Sequence, residues 1–206
     1  IGQDDPPADP GLTEAQIAKE VDTLMDGGHG EEGTTKTSKD FLGPRSKSAG
    51  ANVLKLEALE VLKNFSREKK IKIMRLLTGR IVKRLRQSNM QAQLRELKTY
   101  NNPTAKVLAI VAALFILLDI KGFDTYVGKL YRLPKDTSQM WKFIRSRMDV
   151  PKLLKTMGAF KATDSDRARA VADLLADISH KDAQQASKAV CELRKWCIVK
   201  SNIANM

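Results

Sequence analysis

Reactive centres are built from cysteine, histidine and paired carboxylates, and this chain of 206 residues has few of the first two. Cys191 and Cys197 stand six positions apart. On a helix that spacing turns the two thiols roughly 120° away from each other. They suit neither a zinc site nor a local disulfide. Two thiols in a chain of this size fit a reducing, cytoplasmic compartment. His29 lies in a Gly-rich stretch and His180 at a junction between helical patterns, and neither has an evident partner in the sequence. Asp164 and Asp166 are close together, but acids at a helix start ordinarily serve the helix dipole. No phosphate-cradling glycine loop, dinucleotide turn or set of clustered metal ligands occurs. Each class of site lacks its residues, so the sequence predicts a non-enzymatic protein with no catalytic residue, metal or cofactor.

The chemistry on offer is charge. Lys and Arg total 36 against 24 Asp and Glu, a net +12. Residues 1–50 hold ten acids and five bases, whereas residues 51–100 hold thirteen bases and four acids. A basic body behind an acidic arm predicts an anionic partner. The densest run is Lys69, Lys70, Lys72, Arg75, Arg80, Lys83, Arg84 and Arg86, around an apolar stripe of Ile71, Met74, Leu77, Ile81 and Leu85. Such a run is either a solvated face over a core stripe or a comb set against phosphates or carboxylates. Phosphate binding by several such groups falls steeply with salt. Base readout by stacking needs exposed aromatics among the bases. Tyr100 is the one aromatic near the end of this run. The acidic arm could also compete with the ligand from within the chain.

Those bases need a scaffold, and the sequence predicts an all-α one. Apolar residues reach 42% but aromatics only 5%. Val/Ile/Thr runs bounded by turns are scarce, which argues against sheets. The predicted organisation is a flexible, acidic arm over 1–50 with one short helix, followed by a compact basic helical domain over 51–206. The short helix spans Glu14 to Met25, with Thr13 and Gln16 forming a capping box. A Gly/Ser/Thr-rich linker follows it, so the helix reads as a tethered arm. Leu54, Leu56, Leu59 and Leu62 suggest a helix ending near Asn64, and Ser66 then caps the basic helix, with Gly79 as a potential bend. Met90 to Tyr100 continues helical. Asn102-Pro103 marks the start of a helix running to about Ile120. That helix is apolar nearly all round and belongs at the centre. Its apolar run, Val107 to Ile120, is shorter than the ~20 residues a bilayer needs, so no membrane span is expected. Further helices are predicted over Phe123–Tyr131, Ser138–Met148, Lys152–Met157 and Asp164–Ile178. The last runs from about Asp182 to Ile203, with Ala186, Ala189, Val190, Leu193, Trp196 and Cys197 inward.

Three motifs follow one another along the second half. The first is Glu96-Leu97-Lys98, Pro103, Val107, Ile110, Ala113 and Ile116-Leu117-Leu118. Next come Trp141, Leu153-Leu154-Lys155 and Phe160, and then Ala186-Ser187-Lys188-Ala189, Leu193 and Lys195-Trp196. Over residues 96–196 this pattern resembles the microtubule-binding stalk head of dynein heavy chains. The resemblance implies a small helical bundle presenting bases to the acidic microtubule wall. By proximity to the matched motifs, it points to Lys98, Lys106, Arg145, Arg147, Lys152, Lys188 and Lys195. The chain departs from the family in three respects. The segment upstream lacks long heptads. Leu108 and Ile198 stand where the family usually has a base. And 206 residues leave no room for the motor's ATPase ring.

The expected partner is therefore an acidic polymer surface, tubulin or nucleic acid. The candidate contacts are Lys69, Lys70, Lys72, Arg80, Lys83, Arg84 and Arg86 of the basic helix, together with the seven bases that the resemblance names. A nucleic-acid-binding role, of viral capsid or nucleocapsid type, and a structural subunit of a homo-oligomer or larger assembly are the competing expectations.

Overall fold

The computed structural model describes residues 13–25, 62, 65–128, 130–161 and 164–204. Among them every regular element is a helix. They are α1 (Glu14–Met25), α2 (Arg67–Leu85), α3 (Ser88–Leu97), α4 (Ala105–Leu117) and α5 (Asp124–Val127), then α6 (Ser138–Arg147), α7 (Val150–Ala159), α8 (Ser165–Leu175), α9 (His180–Ala186) and α10 (Lys188–Ala204).

The helix starts are set by side chains that accept otherwise unpaired N–H groups. Thr13 and Gln16 exchange bonds as a capping box at α1: the Thr13 N–H donates to Gln16 Oε1 at 2.7 Å and the Gln16 N–H to Thr13 Oγ1 at 3.3 Å. Ser66 accepts from the Lys69 N–H at α2. Asp149 and Asp164 do the same for α7 and α8. Ser179 and Asp182 form a second capping box at α9. The central helix begins later than Asn102-Pro103 suggests. Thr104 is its cap, accepting the Val107 N–H at 3.3 Å. The predicted single C-terminal helix is two, because Ser187 is fully extended (φ −174°, ψ 160°) and separates α9 from α10.

The core is built on α4 and α10. Every residue of α4 from Val107 to Leu117 is buried. Such a helix has no solvent face and must be surrounded; α6, α8, α9 and α10 pack on it. In turn α10 packs against α2, α3, α4, α8 and α9. Ile73, Leu77, Ile81 and Leu85 carry the apolar side of α2 into the same core. Phe115, Phe123, Tyr126 and Phe143 form an aromatic cluster beyond the end of α4, with ring centroids 5.0–6.4 Å apart.

One organisational expectation is corrected. Helix α1 is not a tethered arm standing off the body. It lies along α2, with Ile17, Ala18 and Val21 buried in the common core. Apolar spacing made α1 recognisable as a helix, and the same stripe, once docked, removes it from solvent. The rest of the expected arm, and the helix expected near Leu54 to Asn64 apart from Leu62, lie outside the described residues. Leu62 is buried. No helix among the described residues is long and apolar enough to cross a membrane.

Candidate anion-binding surface

Helix α2 carries its bases on two flanks, and the fold treats the flanks oppositely. On the inner flank Arg84 enters a cluster of four charges. Its Nη1 and Nη2 donate to Asp22 of α1 at 2.5 and 2.9 Å. Its Nε donates to Glu192 of α10 at 2.8 Å. Lys195, with no solvent exposure at all, sits 3.2 Å from Glu192 and 3.5 Å from Asp22. Two acids thus face two bases in a largely dry setting, a planar guanidinium fork bridging two carboxylates. Burial pulls the Arg84 guanidinium down, but Asp22 and Glu192 outweigh it and hold the group above its ordinary value. Arg84 and Lys195 are therefore corrected: both are internal ion-pair partners, and Lys195 cannot reach an external anion.

Other predicted contacts are also occupied. Lys72 pairs with Glu14 at 2.9 Å. Arg80 donates to the Ala15 carbonyl at 3.3 Å. Lys69 rests 4.4 Å from the centre of the Phe65 ring, and Lys70 is half-buried.

The outer flank is open. Arg75, Lys83 and Arg86 are exposed, and no described carboxylate lies within ion-pair distance of them. Their spacing keeps them on one side of the helix. Leu76 stands among them, 41% exposed. Helix α7 borders this face. A Cβ on its Gly158 would come within 3.0 Å of Arg86 Nη2, so the missing side chain gives the guanidinium room. Lys152 and Lys155 are exposed on α7. Arg75, Leu76 and Lys155 were not among the predicted contacts. The helical period places Arg75 outward with Lys83 and Arg86, but sequence alone does not say which bases the fold pairs with carboxylates.

Of the bases near the stalk-head motifs, Lys152 stands on α7, which borders this face, and the others do not join it as a single site. The start of α4 meets the start of α9, where Lys106 Nζ donates to Asp182 at 2.6 Å. Lys106 and the Ser179 N–H hold the Asp182 carboxyl down at about 2. The Trp141 indole donates to the Tyr100 carbonyl at 2.7 Å, bringing α6 to the turn after Lys98. Gln93 accepts the Ala189 N–H at 3.0 Å, which sets Lys188 beside α3. Lys98 and Lys188 are exposed there. Arg145 is half-buried, while Arg147 lies 5.6 Å from the Phe143 ring.

The reactive residue types meet in one place that spacing did not disclose. His180, expected to lack a partner, approaches Cys191, with Nδ1 3.1 Å from Sγ. Cys191 is buried, and Arg194 beside it donates to the Ile178 carbonyl at 2.7 Å. Cys197 is wholly buried, and that burial pushes its thiol well up. No disulfide engages Cys191 or Cys197 among the described residues. Among the described residues no group of three or more His, Cys, Asp or Glu could hold a metal. A cleft of about 530 Å³ opens at the far end of α4, between Phe115, Asp119, Phe123, Tyr131 and Arg167. Arg167 is held there by Asp119 at 2.9 Å and Asp164 at 3.2 Å, and the Tyr131 hydroxyl accepts from its Nε at 3.3 Å.

No family model, curated protein or solved structure matches the chain.

Proposed function

We propose that the chain is a non-enzymatic binding module that docks a basic helical surface on an acidic macromolecular partner. The partner that the stalk-head resemblance points to is the outer wall of a microtubule, which places the module in the cytoplasm. The outer face of α2 carries this reading: Arg75, Lys83 and Arg86 are exposed, unpaired among the described residues and carried on a helix anchored to the core. A rigid scaffold lowers the entropy lost when such a surface docks. Exposed bases chiefly raise the association rate and make binding salt-dependent. Nucleic acid is the second reading, and the same three bases would serve it. Tyr100, however, is half-buried with its carbonyl engaged by Trp141, so it is poorly placed for base stacking.

Co-sedimentation with microtubules, beside a gel shift with single-stranded RNA, each at two salt concentrations, tests the proposal. The expected result is salt-sensitive pelleting that Lys83→Glu with Arg86→Glu weakens, with little shift of RNA. A steep salt slope on RNA without pelleting would transfer the face to nucleic acid. Unaltered pelleting by the double variant would remove this face from the contact.

A further inference from the structure

The charge cluster is built from three helices, α1, α2 and α10. Helix α1 connects to α2 only through residues 26–66. It is a 12-residue helix, too short to be stable alone in water. What seats it is a simple pattern. Ile17, Ala18 and Val21 face the core, and an acid brackets this apolar stripe on each side. Glu14 meets Lys72, Ala15 offers its carbonyl to Arg80, and Asp22 enters the cluster with Arg84, Glu192 and Lys195. The contacts on α2 thus fall at positions 72, 80 and 84; the helical period sets Arg80 and Arg84 apart from the outer face of Arg75, Lys83 and Arg86, whereas Lys72 falls between Arg86 and Lys83.

We propose that this seat, formed by α2 and the neighbouring edge of α10, is a binding site for an acidic amphipathic helix. Helix α1 occupies it in cis, and a partner protein's helix of the same pattern takes its place. The chemistry of the seat specifies the occupant. Without Asp22, Arg84 and Lys195 would face Glu192 alone, leaving a partly buried surplus of positive charge. A buried ion whose partner is removed is strongly unfavourable, so the seat requires a carboxylate at that depth. The apolar floor requires small or branched aliphatic side chains four and five positions before the carboxylate. An acid eight positions before it would meet Lys72. A helix laid into such a groove is a common mode of peptide recognition. The ligand class is therefore an acidic amphipathic helix rather than a phosphate chain, which could not fill the apolar floor. Because α1 belongs to the same chain, it has a local-concentration advantage over any free competitor.

The test uses the full chain and a fluorescent peptide of residues 13–25. In anisotropy titrations the Ile17→Asp chain, whose own helix is weakened, is expected to bind the peptide at least about tenfold tighter than the unaltered chain. A peptide carrying Asp22→Lys is expected to bind that chain at least about tenfold more weakly than the unaltered peptide. Equal binding of the two peptides would overturn the proposal, as would absence of binding to an Ile17→Asp chain that keeps its helical circular dichroism. Displacement of the peptide by single-stranded RNA instead of unlabelled peptide would also overturn it. Hydrogen exchange on the unaltered chain gives an independent readout that needs no variant. Amides of α1 should exchange at least about a hundredfold faster than those of α4. Equal protection would make α1 an inseparable part of the core and defeat the idea. None of these outcomes depends on the outer face, so that reading can stand or fall separately.

Discussion

The two flanks of α2 contain the same residue types and do opposite things. Arg84, with Lys195 of α10 beside it, is inward, bonded to carboxylates of α1 and α10. Arg75, Lys83 and Arg86 are outward, with solvent around them. Even adjacent leucines divide this way: Leu77 is wholly buried and Leu76 is 41% exposed. The contrast separates two meanings of a positive charge. An inner base is a packing element whose value lies in not being left alone. An outer base contributes little to the fold and is available to a partner. The total of 36 bases counts both equally and overstates those a ligand meets, whereas the inner cluster, two bases against two acids, leaves the net +12 unchanged.

The largest effect should come from breaking the inner side. Lys195→Met leaves Asp22 and Glu192, both largely buried, facing a half-buried Arg84 alone. Removing one member of a buried ion pair costs about 3–5 kcal/mol. Urea unfolding of Lys195→Met should show that loss, while Lys83→Met should stay within about 0.5 kcal/mol. A loss below about 1 kcal/mol for Lys195→Met would show that the cluster relaxes or admits water, and the division between flanks would weaken. The leucines give the uncharged version of the same comparison. Leu77→Ala should cost about 2–5 kcal/mol through lost burial and a cavity, whereas Leu76→Ala should be nearly neutral to stability.

The outer side should respond in binding and not in folding. Reversing Lys83 and Arg86 together should lower microtubule affinity at least about tenfold, equivalent to about 1.4 kcal/mol. The melting temperature should hold. The complementary reversal, Arg84→Glu, should lower the melting temperature sharply before affinity can be measured. If both reversals destabilise alike, the outer bases are structural and the proposed contact lies elsewhere.

What the sequence could disclose follows the same line. Periodicity is local, so α1 was legible to its residue bounds, its capping box included. The all-apolar run from Val107 announced a surrounded central helix, and Ser66 and Asp164 announced helix starts. Ion pairing is not local. Asp22 lies 62 positions from Arg84, and Glu192 lies 108 positions from it. The helical period sets Arg84, seven residues after Leu77 and three after Ile81, at the edge of the apolar stripe and turns Lys83 and Arg86 away from it, but it does not say which carboxylates Arg84 meets. The reading of α1 as an arm failed for the same reason. Its partners are on α2 and α10, and the linker-like composition of the chain after it concealed the docking. Cys191 and His180 were likewise read as unrelated, because the break at Ser187 that folds α9 back on α10 is set by an extended residue with no composition signal. The candidate face was legible as a basic helix, but its membership was not.

The smallest effect should appear at Lys106 and Asp182, a pair that falls between the two flanks in character. It is an ion pair, like the inner cluster, yet the Lys106 side chain is 54% exposed. Lys106, then the Ser179 N–H, holds the Asp182 carboxyl at about 2, against an ordinary 3.8. A carboxyl depressed by folding stabilises the native state at pH values above its unfolded value. That contribution fades as pH falls from about 3.8 toward about 2, because the proton taken up by the unfolded chain is refused by the folded one. Exposure of Lys106 screens the pair, so the gain should stay below about 1 kcal/mol. Asp182→Asn should remove that portion of the acid limb in urea midpoints measured between pH 2 and 5. It should also remove its own half of the Ser179 capping box, since an amide oxygen accepts more weakly than a carboxylate. Lys106→Met should flatten the acid limb while leaving the cap intact. If Lys106→Met leaves the pH profile unchanged, the depressed carboxyl owes its shift to the Ser179 N–H alone. Lys106 then counts with the open bases at this end of the bundle, available to a partner alongside Lys98 and Lys188.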